Sequence, residues 1–345
     1  MSLHSEILEQ PDRTASLLTS QRKTVERIAA EIRKRDIQYV FLAARGTSDN
    51  AGRYANYLWG ARNRLPLALA TPSLFTYYAQ PPSLRGALVV GISQSGQSPD
   101  IVGVLEEGKR QGCPTLAITN EPNSPLADAS DFVINVQAGP ERAVAATKTY
   151  TAELTSVAML SAALNGDART WKEMGNLPRW MRSALKQDRS IELSVPRYRY
   201  IDRTVVIGRG FNYSTAFEWA LKLKELTYII AEPYSSADFL HGPIAMVERG
   251  FPVMAVAPTG KVFSAMLEAL GKLRKGLGAE LVVISNDKRA LSLAQVPMEI
   301  PAEVPEWLSP IVSILPSQLF AYHLTRTKGL DTESPRGLRK VTETR

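Results

Sequence analysis

The sequence predicts an α/β protein made of two tandem doubly wound lobes with parallel sheets, a helical amino-terminal arm and an irregular carboxyl-terminal tail. Three observations carry this. The 345 residues are about twice the ~150-residue domain prior. Short apolar runs alternate with helical patterns, which implies parallel strands in open sheets. The alternation also occurs twice at a nearly constant offset: Gly46 recurs as Gly210 and Gly96 as Gly260, each 164 residues further on, and Asn120 as Asn286, 166 further on. Unrelated motifs would not hold that spacing, so the chain reads as a duplication.

In residues 1–36, Val25, Ile28 and Ile32 recur at helical spacing against Arg22, Lys23, Arg33 and Lys34, which predicts an amphipathic arm. The first lobe is expected over 37–166. It has a buried strand at 39–44, a turn at Gly46-Thr47-Ser48 and a helix from Asn50. A second strand at Ala87–Ile92, a turn at 93–98 and another helix repeat the plan, and short strands follow at 115–120 and 132–136. Residues 167–200 read as a helical linker interrupted at Pro178 and Pro196. The second lobe, 201–320, repeats the program in TVVIGRGFNYSTAFEWALKLKEL, FPVMAVAPTGKVFSAMLEAL and ELVVISN. A helix to about Gly329 and a tail complete 321–345.

Composition narrows the function. Hydrophobic residues at 44% and charged residues at 22% are ordinary for a soluble enzyme. The excess of 41 basic over 34 acidic residues suits an anionic substrate as well as a nucleic acid or membrane, and does not choose between them. One cysteine, Cys113, excludes an internal disulfide framework. Three histidines, His4, His241 and His323, leave few soft ligands, so neither a metal nor another cofactor is expected. No apolar run reaches the ~18 residues of a membrane span, and MSLHSEILEQPDR lacks the apolar segment of a signal peptide. A soluble cytoplasmic protein is the expectation.

Ligands of open parallel sheets gather beyond the carboxyl ends of the strands, where helix amino termini present free N–H groups. Two first-lobe loops lie there: Gly46-Thr47-Ser48 and Ser93-Gln94-Ser95-Gly96-Gln97-Ser98. The second crowds serine hydroxyls and glutamine amides around a glycine that lets the backbone approach closely. It can surround a phosphate, or its serines can simply cap the next helix. No GxxxxGK[ST] occurs, and Gly208-Arg209-Gly210 lacks the third glycine of a dinucleotide fingerprint. The second lobe's counterpart, APTGKV at 257–262, has lost most of the donors. Lys222 and Glu225 share a helix face, as a surface ion pair or a catalytic one. His241 precedes the helix-breaking Gly242-Pro243 and is open to a structural or a catalytic role.

ARGTSDNAGRY, GISQSGQSPD, AGPERAVAATKTYTAEL, GRGFNYSTAFEWALKLKELTYIIAEPYSSADFLHGP and DTESPRGLRK run in order through almost the whole chain. With these segments it resembles the SIS (sugar isomerase) family, in particular the isomerase half of glucosamine-6-phosphate synthases, whose lobes are flavodoxin-like. The resemblance implies that Thr47, Ser48, Ser93, Gln94, Ser95 and Ser98 bind phosphate and that Val144 contacts the sugar. It implies that Glu225 moves a proton between C1 and C2, with Lys222 and the acidic Glu218 beside it. It makes His241 the ring-opening group, reaching a neighbouring subunit, and Lys340 the Schiff-base lysine, so a homodimer with shared sites is expected. Imidazole relays protons near neutral pH and a carboxylate can serve both carbons. The Schiff base requires a neutral amine, favoured by burial or by the nearby Arg336 and Arg339.

Three departures bear on the reaction. Such synthases begin with a glutaminase whose nucleophile is an amino-terminal cysteine; here Met1 stands first. The family's ASTK is AATK, with Ala146 replacing a serine, and the ending becomes KVTETR. The expected reaction is therefore reversed: glucosamine 6-phosphate and water to fructose 6-phosphate and ammonia. The alternatives are an ammonia- or partner-fed synthase, a fructosamine-phosphate deglycase, or a non-catalytic sugar-phosphate sensor. No nucleic-acid partner is expected, because Arg197–Tyr200 (RYRY) is the sole basic–aromatic interleaving, and no membrane partner either.

Overall fold

The computed structural model describes residues 2–340. The chain forms two compact units, each around one wholly parallel five-stranded sheet. The first unit gathers residues 12–141, 148–175 and the tail residues Arg339 and Lys340. Its strands are β1 (Tyr39–Ala43), β2 (Leu67–Leu69), β3 (Ala87–Ile92), β4 (Thr115–Thr119) and β5 (Phe132–Asn135), in spatial order β2-β1-β3-β4-β5. The second unit gathers residues 2–11, 142–147 and 176–338. Its strands are β6 (Arg203–Gly208), β7 (Ile230–Ser235), β8 (Pro252–Val256), β9 (Glu280–Ser285) and β10 (Val296–Glu299), in order β7-β6-β8-β9-β10. The two orders are the same doubly wound topology, so the repeat read from glycine spacing is a repeat of fold.

Central strands are apolar throughout because helices cover both faces of such a sheet. Every residue of β3, β4 and β8 is buried. The first core joins Phe41, Val89, Val104, Leu105 and Ala117, and the second joins Val205, Ile207, Val253, Leu270 and Val283. Order reverses between β1 and β3, and again between β6 and β8, which opens a crevice at the carboxyl ends there.

Three strands went unanticipated, all on sheet edges. β2 is three residues long and half-exposed. β7 and β10 contain Pro233 and Pro297, which edge strands tolerate because one side of the ladder needs no donor. The arm is three helices, Leu3–Leu8, Gln10–Ser20 and Arg22–Arg33, and the last buries Val25, Ile28, Ala29 and Ile32. Within 167–200, Pro178 lies in the first turn of the helix Leu177–Leu185, where its missing N–H costs nothing. The helix Ser309–Thr327 is buried nearly all round, and residues 330–340 form turns and bends. Among the described residues no helix is long and apolar enough to cross a membrane.

Candidate active site

In the first unit both predicted loops sit at the carboxyl ends of β1 and β3. Gly46 opens the helix Gly46–Asn63 at φ 54°, and Thr47 and Ser48 occupy its first turn. Thr47 is half-buried. Ser48 is buried and donates its hydroxyl to Glu153 Oε1 at 2.8 Å, so to donate to a phosphate it must rotate away. In the second loop Gly96 N–H donates to Ser93 Oγ at 3.2 Å and Gln97 N–H to Ser95 Oγ at 3.3 Å. These bonds fold the loop on itself. Ser98 takes the N-cap position of the helix Pro99–Arg110, but its side chain makes no capping bond. Helix capping therefore does not account for the hydroxyls, and Gln94 stays half-buried at the rim.

Gly96 is required twice over: φ is +62°, and a Cβ there would lie 2.1 Å from Ser124 Oγ. Arg45 and Asp100 were missed by sequence reasoning. The Arg45 Nε to Asp100 Oδ2 pair, 2.8 Å, ties the first loop to the helix behind the second, with Asp100 1% exposed. No local motif announces a pair 55 residues apart.

Lys340 also belongs to this unit. Its Nζ lies 2.7 Å from Oε2 of Glu141, a fully buried carboxylate. Thr149 holds that carboxylate from the first turn of the helix Lys148–Asn165, with N–H to Oε1 at 3.1 Å and Oγ1 to Oε2 at 2.8 Å. For Lys340 either burial or nearby cations such as Arg336 and Arg339 were expected, and its side chain is 25% exposed. Arg336 instead stacks on Tyr228, 4.5 Å from the ring centroid, within the other unit, and the charge that meets Lys340 is negative. The residues of KVTETR after Lys340 lie outside the described residues. Cys113 is buried in the first core, donates to Leu84 O at 3.0 Å, and burial pushes its thiol pKa up, as for a packing residue.

In the second unit, Glu218, Lys222 and Glu225 follow one another along the helix Tyr213–Thr227. Lys222 is 1% exposed, with Nζ 3.3 Å from Glu218 Oε1 and 2.5 Å from Glu225 Oε2. This is not a surface pair. Burial opposes the ammonium charge, but the two carboxylates outweigh it and raise the Lys222 pKa well above its ordinary value. Glu225 keeps 23% of its side chain accessible, while Glu218 has none. His241 ends the short helix Ser236–Leu240 with its ring exposed, outside the Glu218–Lys222–Glu225 cluster.

Val144 is half-buried in the segment 142–147, which the amino-terminal arm holds. The buried Glu6 accepts from the N–H groups of Arg142 (2.6 Å) and Ala143 (3.3 Å). Gln10 donates to Gln318 Oε1 at 2.8 Å, and Gln318 Nε2 donates to Thr147 O at 3.3 Å. The arm thus shapes a candidate sugar-contacting segment, a role its amphipathic pattern did not suggest.

Two further features lie in the second unit. His4 and His323, read from the sequence only as scarce soft ligands, meet at Asp188, which receives His4 Nε2 on Oδ2 at 2.9 Å and His323 Nε2 on Oδ1 at 2.6 Å. A cation there would displace both bonds and leave His323 Nδ1 protonated, buried and without an acceptor among the described residues. The cluster is a clasp joining the arm, the linker and the last long helix. The second lobe's glycine loop is also not open: Glu306 accepts from the N–H groups of Lys261 (2.9 Å) and Val262 (3.4 Å). A Cβ on Gly260 would stand 2.1 Å from Glu306 Cδ. An internal carboxylate fills the duplicate of the candidate phosphate loop.

The SIS domain family model matches residues 33–163 and 198–328. A glutamine–fructose-6-phosphate aminotransferase (isomerizing) of Thermococcus kodakarensis is 34% identical over 344 residues, 97% of this chain and 56% of that protein. The chain thus spans about half the length of the curated relatives it matches. The C-terminal domain of a glucosamine-fructose-6-phosphate aminotransferase from Francisella tularensis superposes with a TM-score of 0.87 at 29% identity, covering 96% of this chain and 98% of that one. A glucosamine-6-phosphate deaminase from Thermotoga maritima has a TM-score of 0.75 at 22% identity over all of both chains, a likeness of fold alone.

Proposed function

The chain belongs to the SIS domain family, and on that premise we propose that it deaminates an amino-sugar phosphate, turning glucosamine 6-phosphate and water into fructose 6-phosphate and ammonia. The observation that carries the reading is Lys222, buried between Glu218 and Glu225 with only Glu225 accessible. Such an arrangement fixes one carboxylate rigidly through a charged neighbour and leaves its second oxygen for a carbon-bound proton. A sugar-phosphate sensor needs only the phosphate loops.

The chemistry follows from the opened sugar. His241 relays the proton that opens the ring. Its exposed ring supports action in a neighbouring copy, and so a homodimer. In the open chain Glu225 removes the C2 proton, the electrons shift onto the C1 carbonyl oxygen, which takes a proton from the substrate's ammonium group, and the proton returned at C1 leaves an iminium at C2. The neutral Lys340 amine adds to C2, ammonia departs, and water hydrolyses the lysine imine to the ketone. Thr47, Ser48, Ser93, Gln94, Ser95 and Ser98 hold the phosphate by neutral donors and helix amino termini, and Val144 packs against the sugar chain.

The test is ammonia release from glucosamine 6-phosphate and from fructosamine phosphates, with the reverse reaction run in fructose 6-phosphate plus ammonium. Release from glucosamine 6-phosphate that Glu225→Gln abolishes is expected. Amine release from a fructosamine phosphate alone would replace the substrate. Binding without turnover would make the protein a sensor.

A further inference from the structure

The expected Schiff base needs Lys340 without its extra proton, yet the structure pairs Nζ with a carboxylate at 2.7 Å. We propose that Glu141 is a catalytic residue that takes the Lys340 proton and returns it to the departing oxygen. This rests on the reading of Lys340 as the imine-forming amine.

The carboxylate is built for one proton at one oxygen. Its side chain is fully buried, so no bulk water competes for it. Oε1 is fixed by the Thr149 N–H in the first turn of the helix Lys148–Asn165. Oε2 receives both Thr149 Oγ1 and Lys340 Nζ. When Oε2 gains the proton, the Thr149 hydroxyl can rotate from donor to acceptor and keep the new O–H satisfied. Neither adjustment moves the backbone.

The step balances. The Lys340 ammonium gives a proton to Glu141 Oε2, and the freed Nζ lone pair attacks the ketone carbon, its π electrons passing to oxygen. A proton moves from nitrogen to that oxygen, giving a neutral carbinolamine. Glu141 then delivers its proton to the hydroxyl, which leaves as water while nitrogen's lone pair forms the C=N bond. The protonated imine and the Glu141 carboxylate remain, with no other reactant consumed. In hydrolysis the same oxygen works in reverse.

The experiment traps the imine with borohydride on the intact chain in fructose 6-phosphate, following the mass added at Lys340 against time and pH. The native protein is expected to trap at a rate nearly flat from pH 6 to 8. Glu141→Gln is expected to trap ~100-fold or more slowly at pH 7, within the range of general acid–base catalysis, and to speed up steeply with pH as bulk base takes over. Glu141→Asp, whose shorter reach cannot serve Thr149 and Lys340 together, should fall between them and substitutes if the Gln variant does not fold. Trapping by Glu141→Gln as fast as native, with the same flat profile, overturns the proposal: Glu141 would then merely store the ammonium. No adduct on the native protein, or one that persists in Lys340→Ala, refutes the imine reading itself and the proposal with it.

Discussion

Replacing Lys222 by methionine keeps the volume of the side chain and deletes its charge, which isolates what the charge does. Lys222 is 1% exposed and makes two charge-assisted contacts, at 3.3 Å to Glu218 and 2.5 Å to Glu225. Each such bond contributes about 1.5–3 kcal/mol, and breaking a buried ion pair from one side costs about 3–5 kcal/mol. Lys222→Met should therefore lose about 3–5 kcal/mol in urea unfolding, a large part of a typical 5–15 kcal/mol. The pH dependence carries a sign. In the native protein the raised Lys222 pKa contributes stability that is fully present below its ordinary value of 10.5 and lost only as pH rises through the folded value, so the pair is constant across neutral pH. In the variant the two carboxylates face each other without a cation, and their repulsion lasts only while both are charged, so the loss should shrink as the pH falls from 8 toward 5. Adding Glu218→Gln to Lys222→Met removes the repulsion and should recover much of the loss. A loss below about 1 kcal/mol, or one independent of pH, would refute the claim that Lys222 neutralises the cluster.

Gly96→Ala forces a left-handed backbone that costs about 1–2 kcal/mol and drives a methyl into Ser124. Titration with inorganic phosphate should show affinity down at least ~10-fold, and unchanged affinity would remove the 93–98 loop from the phosphate site. Glu306→Ala frees the Lys261 and Val262 N–H groups, so phosphate should raise the variant's melting temperature more than the native protein's at matched ionic strength. Equal shifts would mean the second-lobe loop no longer fits an anion. Cys113, buried and with its thiol pKa raised by burial, should react with a thiol reagent at pH 8 far more slowly in native buffer than in denaturant, and prompt native labelling would contradict its packing role.

The sequence carried the fold because buried parallel strands announce themselves: Ala87–Ile92 and Glu280–Ser285 are apolar runs bounded by turns. β7 and β10 stayed hidden, since Glu232, Pro233 and Pro297 break the pattern on edges where packing demands less. Lys222 and Glu225 were legible as a pair because a helix fixes their spacing. Their burial was not, since it depends on what packs over the helix Tyr213–Thr227. Glu141, Glu6 and Glu306 were invisible as a class. Each is an ordinary acid in a loop or at a helix start, given meaning by a partner 45 to 199 residues away.

The central claim is that Glu225 moves a proton between adjacent sugar carbons. Native protein and Glu225→Gln incubated with glucosamine 6-phosphate in deuterium oxide, with the fructose 6-phosphate formed examined by NMR, test it directly. The native protein should release ammonia and give a product whose C1 carries either the hydrogen transferred from C2 or deuterium exchanged onto Glu225, and the variant should release none. Ammonia released at the native rate by Glu225→Gln would contradict the claim.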